Sequence, residues 1–169
     1  MNEPAKSEDL VVRRIEQGTV IDHITHGQGL RVLEFLGILD DPQKWGQVAL
    51  VMGVESLKEV KRAKDIVKVA NRILTPEEIS LVALIAPNTT INSIENYKVV
   101  NKYQVRLPDK FQGTEGITCP NPLCVTNHEE GVLSEFQVES RESPAKVRCS
   151  FCERLFSPEQ LVNPRKRKE

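Results

Sequence analysis

The sequence predicts an α+β protein, in which an antiparallel sheet with two helices on one face is followed by a small all-β zinc-binding domain. Three observations predict this class. Runs of β-prone residues alternate with two helix-like segments through the first hundred positions. A stretch of Pro, Gly and charged residues, RLPDKFQGTEG, follows at positions 106–116. All four cysteines lie beyond that stretch.

The first elements are two short strands, at residues 10–15 and 19–24. The second strand reads TVIDHI, which is rich in β-branched residues, and Gly18 comes just before it. From Gly29 onwards leucines recur at helical spacing. The sequence therefore predicts an amphipathic helix that continues to Asp40, where two acidic residues and a proline stop it.

A strand pair is expected next. Residues 47–54 form a short apolar run, and residues 65–71 alternate in the way that suits a half-exposed strand. The two segments are expected to pair as a hairpin. The charged segment between them, residues 55–64, has no Gly or Pro turn and fits either a loop or a helical piece.

The second helix has a clear start signal at Thr75. Thr75 is a capping residue, and Pro76 occupies a position where a missing N–H needs no partner. Glu78 stands where its carboxylate can reach back to the cap, which completes a capping box. This helix is expected to run to about Ile85.

Two further extended segments follow at residues 89–94 and 97–105. From Thr19 onwards the order is therefore strand, helix, strand, strand, helix, strand. That order predicts a ferredoxin-like α+β sandwich.

A domain boundary is predicted near Pro108, which gives domains at residues 1–108 and 109–169. In the second domain, residues 132–139 and 145–148 are expected to form a hairpin.

The composition excludes several functional classes. Lys and Arg total 23 against 24 for Asp and Glu, so the net charge of -1 gives no general attraction to nucleic acid or anionic lipid. The N-terminus is polar and acidic, without an apolar signal region, and no window approaches the roughly 20 apolar residues that a membrane span requires. A cytoplasmic protein with no membrane and no nucleic-acid partner is expected.

The cysteine spacing predicts one structural zinc ion per chain. Cys119 and Cys124 form one close pair, and Cys149 and Cys152 form another. Two such pairs can present four thiolates tetrahedrally to Zn²⁺, and they leave no open position for a substrate. Disulfides do not persist in the cytosol, so the remaining alternative is a set of free or redox-active thiols. His128 is expected to be an exposed loop residue rather than a ligand.

Three sequence motifs carry a family resemblance. They are GTVIDHI at residues 18–24, NxIxNYxVVxK at residues 92–102, and CPNxxC with CxxCxxxF at residues 119–156. In this order they resemble the regulatory chain of aspartate carbamoyltransferase, over about residues 10 to 160. The resemblance implies a non-catalytic subunit in de novo pyrimidine biosynthesis, with no catalytic residues of its own.

The resemblance also implies partners and a division of labour. The first domain would bind CTP as inhibitor and ATP as activator, with UTP a further candidate, and would pair two regulatory chains as a dimer. The zinc domain would hold the catalytic chain, so that regulatory dimers bridge catalytic trimers.

The resemblance implies binding-site residues at those positions of this sequence where the family motifs match. The positions in the nucleotide pocket would be Ile15, Val20, Asp22, His23, Lys68, Asn92, Ile94, Tyr97, Val99 and Lys102. Lys102 and His23 suit the phosphates, with Asn92 as a neutral donor. Asp22 and Lys68 suit the ribose or base, which apolar and backbone groups would surround. Contacts to the catalytic chain are expected at Asn121, Glu153 and Arg154.

Each of these residues also has a structural interpretation. Lysines on exposed strand faces are usually solvated, and His23 and Tyr97 can serve packing alone.

The alternative function is a zinc-knuckle nucleic-acid-binding module, suggested by the basic residues 165–168. The neutral net charge and the 5% aromatic content oppose it. A free-standing enzyme is disfavoured because no Ser-His-Asp set, carboxylate pair or phosphate-binding glycine loop is apparent.

Overall fold

The computed structural model describes residues 13–40, 46–55, 63–114, 116–141 and 145–162. Within these ranges the chain forms two antiparallel sheets and two α-helices. The helices are α1 (Gly29–Phe35) and α2 (Pro76–Ile85). The strands are β1 (Gly18–Thr25), β2 (Val48–Glu55), β3 (Ala63–Ala70), β4 (Thr90–Glu95), β5 (Lys98–Gln104), β6 (Lys110–Gln112), β7 (Glu135–Ser140), β8 (Lys146–Cys149) and β9 (Leu155–Phe156).

The first sheet has the predicted ferredoxin-like topology. Its strands lie in the order β2-β3-β1-β4-β5, so β5 is added as an outer strand beside β4. Burial alternates along the central strands, where Ile21, Val67 and Ile91 are fully buried and their neighbours on the other face are not. The two helices cover the buried face, as predicted, and within the described residues no helix lies on the other face, which we call the helix-free face.

Helix α2 begins with the expected capping box. The Glu78 backbone N–H donates to the Thr75 hydroxyl, and the Thr75 N–H donates to the Glu78 carboxylate. Pro76 is the first helical residue, and the helix ends at Ile85. The sequence therefore predicted both ends of this helix correctly.

Helix α1 is shorter than predicted, because Gly37 ends it. Gly37 has a φ of 68° and follows the C-cap residue Leu36. The Gly37 N–H donates to the Glu34 carbonyl, and the Ile38 N–H donates to the Leu33 carbonyl. This pair of bonds terminates the helix before the apolar pattern runs out.

The predicted hairpin of β2 and β3 is present, with Leu50 opposite Val67. The connecting residues 56–62 lie outside the described residues. The strand expected at residues 10–15 is wrong in its described part, since residues 13–15 belong to no strand. The next two residues form hydrogen bonds with two turns instead of a strand. The Gln17 carbonyl accepts from the Asn71 N–H, and the Glu16 carbonyl accepts from the Tyr97 N–H.

The second sheet has the order β6-β7-β8-β9, and β7 with β8 is the predicted hairpin. Its core contains Phe136, Val147 and Leu161, all fully buried. The Phe111 and Phe136 rings pack with their centroids 5.2 Å apart. Leu161 belongs to a short 3-10 turn, Pro158–Leu161, which also contacts helix α2. The two sheets are thus joined through α2 and this turn.

Among the described residues, no helix has the length and apolar character that crossing a membrane requires. The limits of the two domains, at residues 108 and 109, stay a prediction.

Candidate functional site

Four cysteines from two separate segments converge at one point of the second domain. The Sγ atoms of Cys119, Cys124, Cys149 and Cys152 all lie within 4.8 Å of one another. Cys119 Sγ is 3.6 Å from Cys152 Sγ, and Cys124 Sγ is 3.9 Å from Cys149 Sγ. These separations are far longer than a disulfide bond of about 2.05 Å. The four residues are free thiols gathered into one cluster.

The first pair is held by a turn built around Asn121. The Asn121 side-chain oxygen accepts from the Leu123 N–H, and its carbonyl accepts from the Cys124 N–H. The Asn127 side-chain amide donates to the carbonyls of Cys119 and Asn121. Both Cys119 and Cys124 are buried in consequence.

Two hydroxyl groups form hydrogen bonds with the first pair of cysteines. The Ser134 hydroxyl accepts from the Cys119 N–H, and the Thr126 hydroxyl donates to Cys124 Sγ at 3.3 Å. The second pair lies at the end of β8, where the Glu153 N–H donates to the Cys149 carbonyl. Glu153 closes this second turn with a φ of 57°.

The protonation behaviour of the cluster favours a cation. Burial raises the pKa of the Cys119 and Cys149 thiols. Burial acts in the same direction on Cys152, but hydrogen bonds from the Arg154 backbone and the Asn121 side chain outweigh it and lower the pKa of Cys152 to about 7. Several thiolates can share this buried space only when a positive ion compensates them.

The cluster fits a tetrahedral metal ion. Metal–sulfur bonds of about 2.3 Å in a tetrahedron place sulfurs about 3.8 Å apart, close to the two shortest separations in the cluster. All four ligands are protein sulfurs, so the arrangement is suited to a structural metal and offers no protein-free coordination position. His128 lies outside the cluster: it is exposed, and its Nε2 is 2.6 Å from the Pro122 carbonyl oxygen.

A second candidate site lies on the helix-free face of the first sheet. Strand register places Ala49, Lys68, Val20, Asn92 and Lys102 directly beside one another across all five strands. We call these five residues the cross-strand row. Paired residues on neighbouring strands point to the same face, so four of the predicted pocket residues share one surface. With strands about 4.8 Å apart, Lys68 and Lys102 stand about 14 Å apart along the row.

The environment of the row is partly polar and partly desolvated. The Asn92 side-chain amide donates to the Val20 carbonyl at 3.4 Å. Lys68 Nζ donates to the Arg13 carbonyl at 3.3 Å, and burial lowers the pKa of Lys68. Lys102, on the outer strand β5, is exposed. The row therefore has a cation near each end and polar groups between them.

Asp22 and His23 lie in a bulge of β1 next to the row. The register between β1 and β3 shifts after Ile21, and His23 has a φ of 61°. The His23 N–H donates to Asp22 Oδ1 at 2.7 Å, and Lys64 Nζ lies 2.8 Å from the same oxygen. Lys64 lies four positions before Lys68 on β3, and it is half-buried like Lys68, whereas the alternate residues Asp65 and Val67 are fully buried. The sequence did not indicate Lys64 as a pocket residue, because Lys64 fell in the ambiguous segment 55–64, whereas the structure begins β3 at Ala63.

Asp65 fixes the loop that leads from this bulge into helix α1. Its side chain is fully buried and accepts hydrogen bonds from the backbone N–H groups of Gly27, Gly29 and Gly53. The His26 Nδ1 lies 2.9 Å from Asp65 Oδ1. Burial tends to raise the pKa of Asp65, but these hydrogen bonds outweigh it and lower the pKa below the ordinary value of 3.8. The carboxylate therefore stays ionised and joins β2, β3 and the β1–α1 loop.

Three of the remaining predicted pocket residues lie at the turn end of the β4–β5 hairpin, and the fourth precedes β1. Tyr97 lies in the hairpin turn and is 56% exposed. Ile94 pairs with Val99 on the neighbouring strand, and Ile15 lies in the segment before β1. These residues are not members of the row, and Ile94 is only 8% exposed.

Two family models match the chain in succession. The model for the allosteric domain of the aspartate carbamoyltransferase regulatory chain matches residues 10–106, and the model for the metal binding domain of the same chain matches residues 110–162. The chain belongs to the aspartate carbamoyltransferase regulatory chains. It is a non-catalytic subunit, with an allosteric domain and a metal-binding domain that contains the four-cysteine cluster.

Curated regulatory chains from several organisms are similar over nearly the whole length. The regulatory chain of Pyrococcus abyssi is 49% identical over 154 residues, which cover 91% of this chain and 97% of that one. The regulatory chain of Methanothermobacter thermautotrophicus is 45% identical, with 90% and 93% covered. The regulatory chain of Saccharolobus islandicus is 42% identical, with 94% and 95% covered.

The residues expected to contact the catalytic chain differ in exposure. Glu153 and Arg154 are exposed beside the cysteine cluster of this regulatory chain. Asn121 is only 7% exposed, because its side chain holds the turn between Cys119 and Cys124. A contact of Asn121 with a catalytic chain stays a prediction, and its visible role is to shape the cluster.

Proposed function

We propose that this regulatory chain senses nucleoside triphosphates on the helix-free face of its first sheet, with CTP as inhibitor, ATP as activator and UTP as a further effector. The observation that carries the proposal is the cross-strand row. It combines two lysines, an amide and an adjacent carboxylate on one surface, at a spacing comparable with an extended nucleoside triphosphate.

The chemistry of the row assigns a role to each part. Lys102 is exposed at the outer strand and suits the phosphates, where a charge-assisted hydrogen bond is strongest. Asp22 accepts hydrogen bonds and suits ribose hydroxyls. Lys68 has a pKa lowered by burial and suits the ribose or base. We add Lys64 to the proposed site as a third lysine, because its Nζ lies 2.8 Å from Asp22 Oδ1. Ile15, Ile94, Tyr97 and Val99 would surround the base.

We further infer that the metal is a single structural zinc ion, held by the four cysteines. It stabilises the two turns that present Glu153 and Arg154, and through this surface the chain would hold a catalytic chain. Zinc suits four thiolates at tetrahedral spacing and needs no redox or open-site chemistry. The protein would act in the cytoplasm, in de novo pyrimidine biosynthesis.

A dimer of regulatory chains would form through strand β2. This edge strand contains the run VALVMGV, seven residues without a charge, whereas the opposite edge strand β5 carries Lys98 and Lys102. Long apolar edge strands favour pairing with another chain, and lysines oppose it. Two sheets joined at β2 would leave both cross-strand rows on the outside of the pair.

Nucleotide occupancy would act on the enzyme by differential affinity for two states of the holoenzyme. A ligand shifts such an equilibrium only by the difference between its two binding free energies, typically about 1 to 3 kcal/mol. The β1 bulge, the Asp65-anchored loop and α1 form a continuous path from the row to the second domain.

Isothermal titration of CTP and of ATP into the purified zinc-loaded chain tests the proposal. We expect saturable binding of both, with each nucleotide displacing the other. Absence of heat for both nucleotides, or binding of both at once to one chain, would reject a shared pocket on this face.

A further inference from the structure

A cavity lies between helix α2 and the start of the second domain. Its volume is about 150 Å³. Leu81 and Leu84 of α2 form one wall, and Leu107, Phe111 and Ile117 form the other. Three of these side chains, Leu84, Leu107 and Ile117, are almost fully buried. The cavity is therefore a gap in well-packed apolar surroundings.

The cavity is on the opposite side of the first sheet from the cross-strand row. It is bounded by α2, which belongs to the helix layer, whereas the row is on the helix-free face. None of the residues proposed for nucleotide, metal or catalytic-chain binding lines it. The cavity thus belongs to neither site described above.

Its size and lining select a class of ligand. An apolar cavity of about 150 Å³ lined by Leu, Ile and Phe is large enough to hold one aromatic ring such as benzene. The polar groups at the rim come from Glu77, Ser80, Gln112 and Thr114. Glu77 is near the N-terminus of α2, where hydrogen bonds from its own backbone N–H and from Thr75 lower its pKa, so it is an anion at neutral pH. The Glu77 carboxylate can accept a hydrogen bond from a hydroxyl group of a ligand, and it disfavours an anionic ligand.

We propose that this cavity is a binding site for a neutral single-ring aromatic alcohol or phenol, with the ring between Leu84 and Phe111 and the hydroxyl donating to Glu77. Such small ligands gain binding energy mainly from the buried ring, and the hydroxyl adds orientation. One wall of the cavity is formed by α2, and the other is formed by the start of the second domain. A bound ligand would therefore hold α2 and the second domain at their present separation.

The test uses the full zinc-loaded chain with benzyl alcohol as the probe, followed by ¹H–¹⁵N spectra. We expect saturable shifts of the Leu84, Phe111 and Ile117 amides, with a Kd on the order of 1 mM for a ligand of this size. Toluene, which lacks the donor, should bind more weakly, and benzoate, which is repelled by Glu77, should cause no saturable shift at these amides. Non-saturable shifts, or benzoate binding as well as benzyl alcohol, would overturn the proposal.

Two cavity variants and one control complete the test. Leu81→Trp fills the space from inside, and Ser80→Trp covers the rim without changing the core, so each should weaken benzyl alcohol at least about tenfold. Leu133→Trp, at an exposed leucine of the second domain, should bind as the wild type does. Unchanged binding in Ser80→Trp together with unchanged binding in a folded Leu81→Trp would refute the site. The measurement requires no nucleotide, so its failure leaves the proposed nucleotide function untouched.

Discussion

The guanidinium of Arg31 donates a 2.7 Å hydrogen bond to the carboxylate of Glu159, which joins helix α1 to the 3-10 turn of the second domain. The Arg31 guanidinium also lies over the Phe35 ring, 5.9 Å from its centroid. Both charged side chains are more than a third exposed, so solvent screens the pair. It is a contact between the allosteric domain and the metal-binding domain rather than a major source of stability.

Breaking this ion pair should weaken communication more than folding. We expect Arg31→Gln and Glu159→Gln each to lower the free energy of unfolding by less than about 1 kcal/mol, while reducing the effect of CTP on the holoenzyme. Urea titration measures the first effect, and inhibition curves with saturating CTP measure the second. The exposed pair Arg148–Glu139, which lies within the second sheet, provides the control, and Arg148→Gln should leave CTP inhibition intact. Full CTP inhibition in both Arg31→Gln and Glu159→Gln would contradict a coupling role.

Lys102→Ala should weaken CTP and ATP together, because the phosphates are common to both nucleotides. Loss of one charge-assisted hydrogen bond of about 1.5 to 3 kcal/mol predicts a decrease in affinity of about 10-fold to 150-fold. Isothermal titration measures it. Lys110→Ala on β6 removes an exposed lysine far from the row and should not change either affinity. A selective effect on only one nucleotide would place Lys102 at the base instead of the phosphates.

Removing the metal should release the regulatory chain from its catalytic partner. Metal analysis should give one zinc per chain, and thiol modification with chelation should remove it. The buried thiols then lose the ion that compensates their charge, and the two turns that present Glu153 and Arg154 lose their anchor. Size-exclusion chromatography should show separate chains. Cys149→Ser should behave in the same way, whereas Ser150→Ala, at the exposed neighbouring residue, should assemble normally.

Asp65 should make stability depend on acid pH. Its folded-state pKa is below the ordinary 3.8, so its contribution is fully present above that value and is lost as the pH falls through the folded-state pKa. Asp65→Asn should destabilise the chain by about 1.5 to 3 kcal/mol at pH 7, since three backbone N–H groups lose a charged acceptor. It should also show a smaller further loss of stability than the wild type as the pH falls from about 4 to about 2, where the wild-type carboxylate takes up its proton. Urea titrations across that window measure both, with the exposed Asp109→Asn as control.

A charge on the outer strand β2 should dissociate the proposed dimer. Met52 is exposed, so Met52→Lys adds a charge at this edge without entering the core. Val100→Lys places the same charge on the opposite edge strand β5 and should leave the dimer intact. Sedimentation equilibrium distinguishes the two. If Val100→Lys dissociated the dimer and Met52→Lys did not, the interface would lie at β5 instead of β2.

Local signals in the sequence were sufficient for much of the fold. The Thr75 capping box fixed the start of α2, and the alternation in residues 65–71 indicated strand β3. The spacing of the cysteines indicated the cluster, because two close pairs suit one ion whatever the path between them. Helix α1 was predicted too long, since an apolar stripe does not show that Gly37 will adopt a positive φ.

The candidate nucleotide surface needed information that a single sequence does not contain. The motifs indicated which residues belong to it, but only strand register shows that Lys68, Val20, Asn92 and Lys102 form one line. The bulge at His23 and the partner of Lys64 also depend on long-range pairing. The alternation along β3 puts Asp65 in line with the buried Val67 and Val69, but it does not show which groups satisfy the carboxylate. Those groups belong to the β1–α1 loop, the first residue of α1 and strand β2.

The cross-strand row imposes an evolutionary constraint on chain length. Each member faces the helix-free side only because its strand is in phase with its neighbours, so an inserted or deleted residue inside β1, β3, β4 or β5 would turn that strand's contribution towards the helices. Side chains in the row can be exchanged one at a time without changing that phase. Changes in length must instead accumulate in the connections between strands.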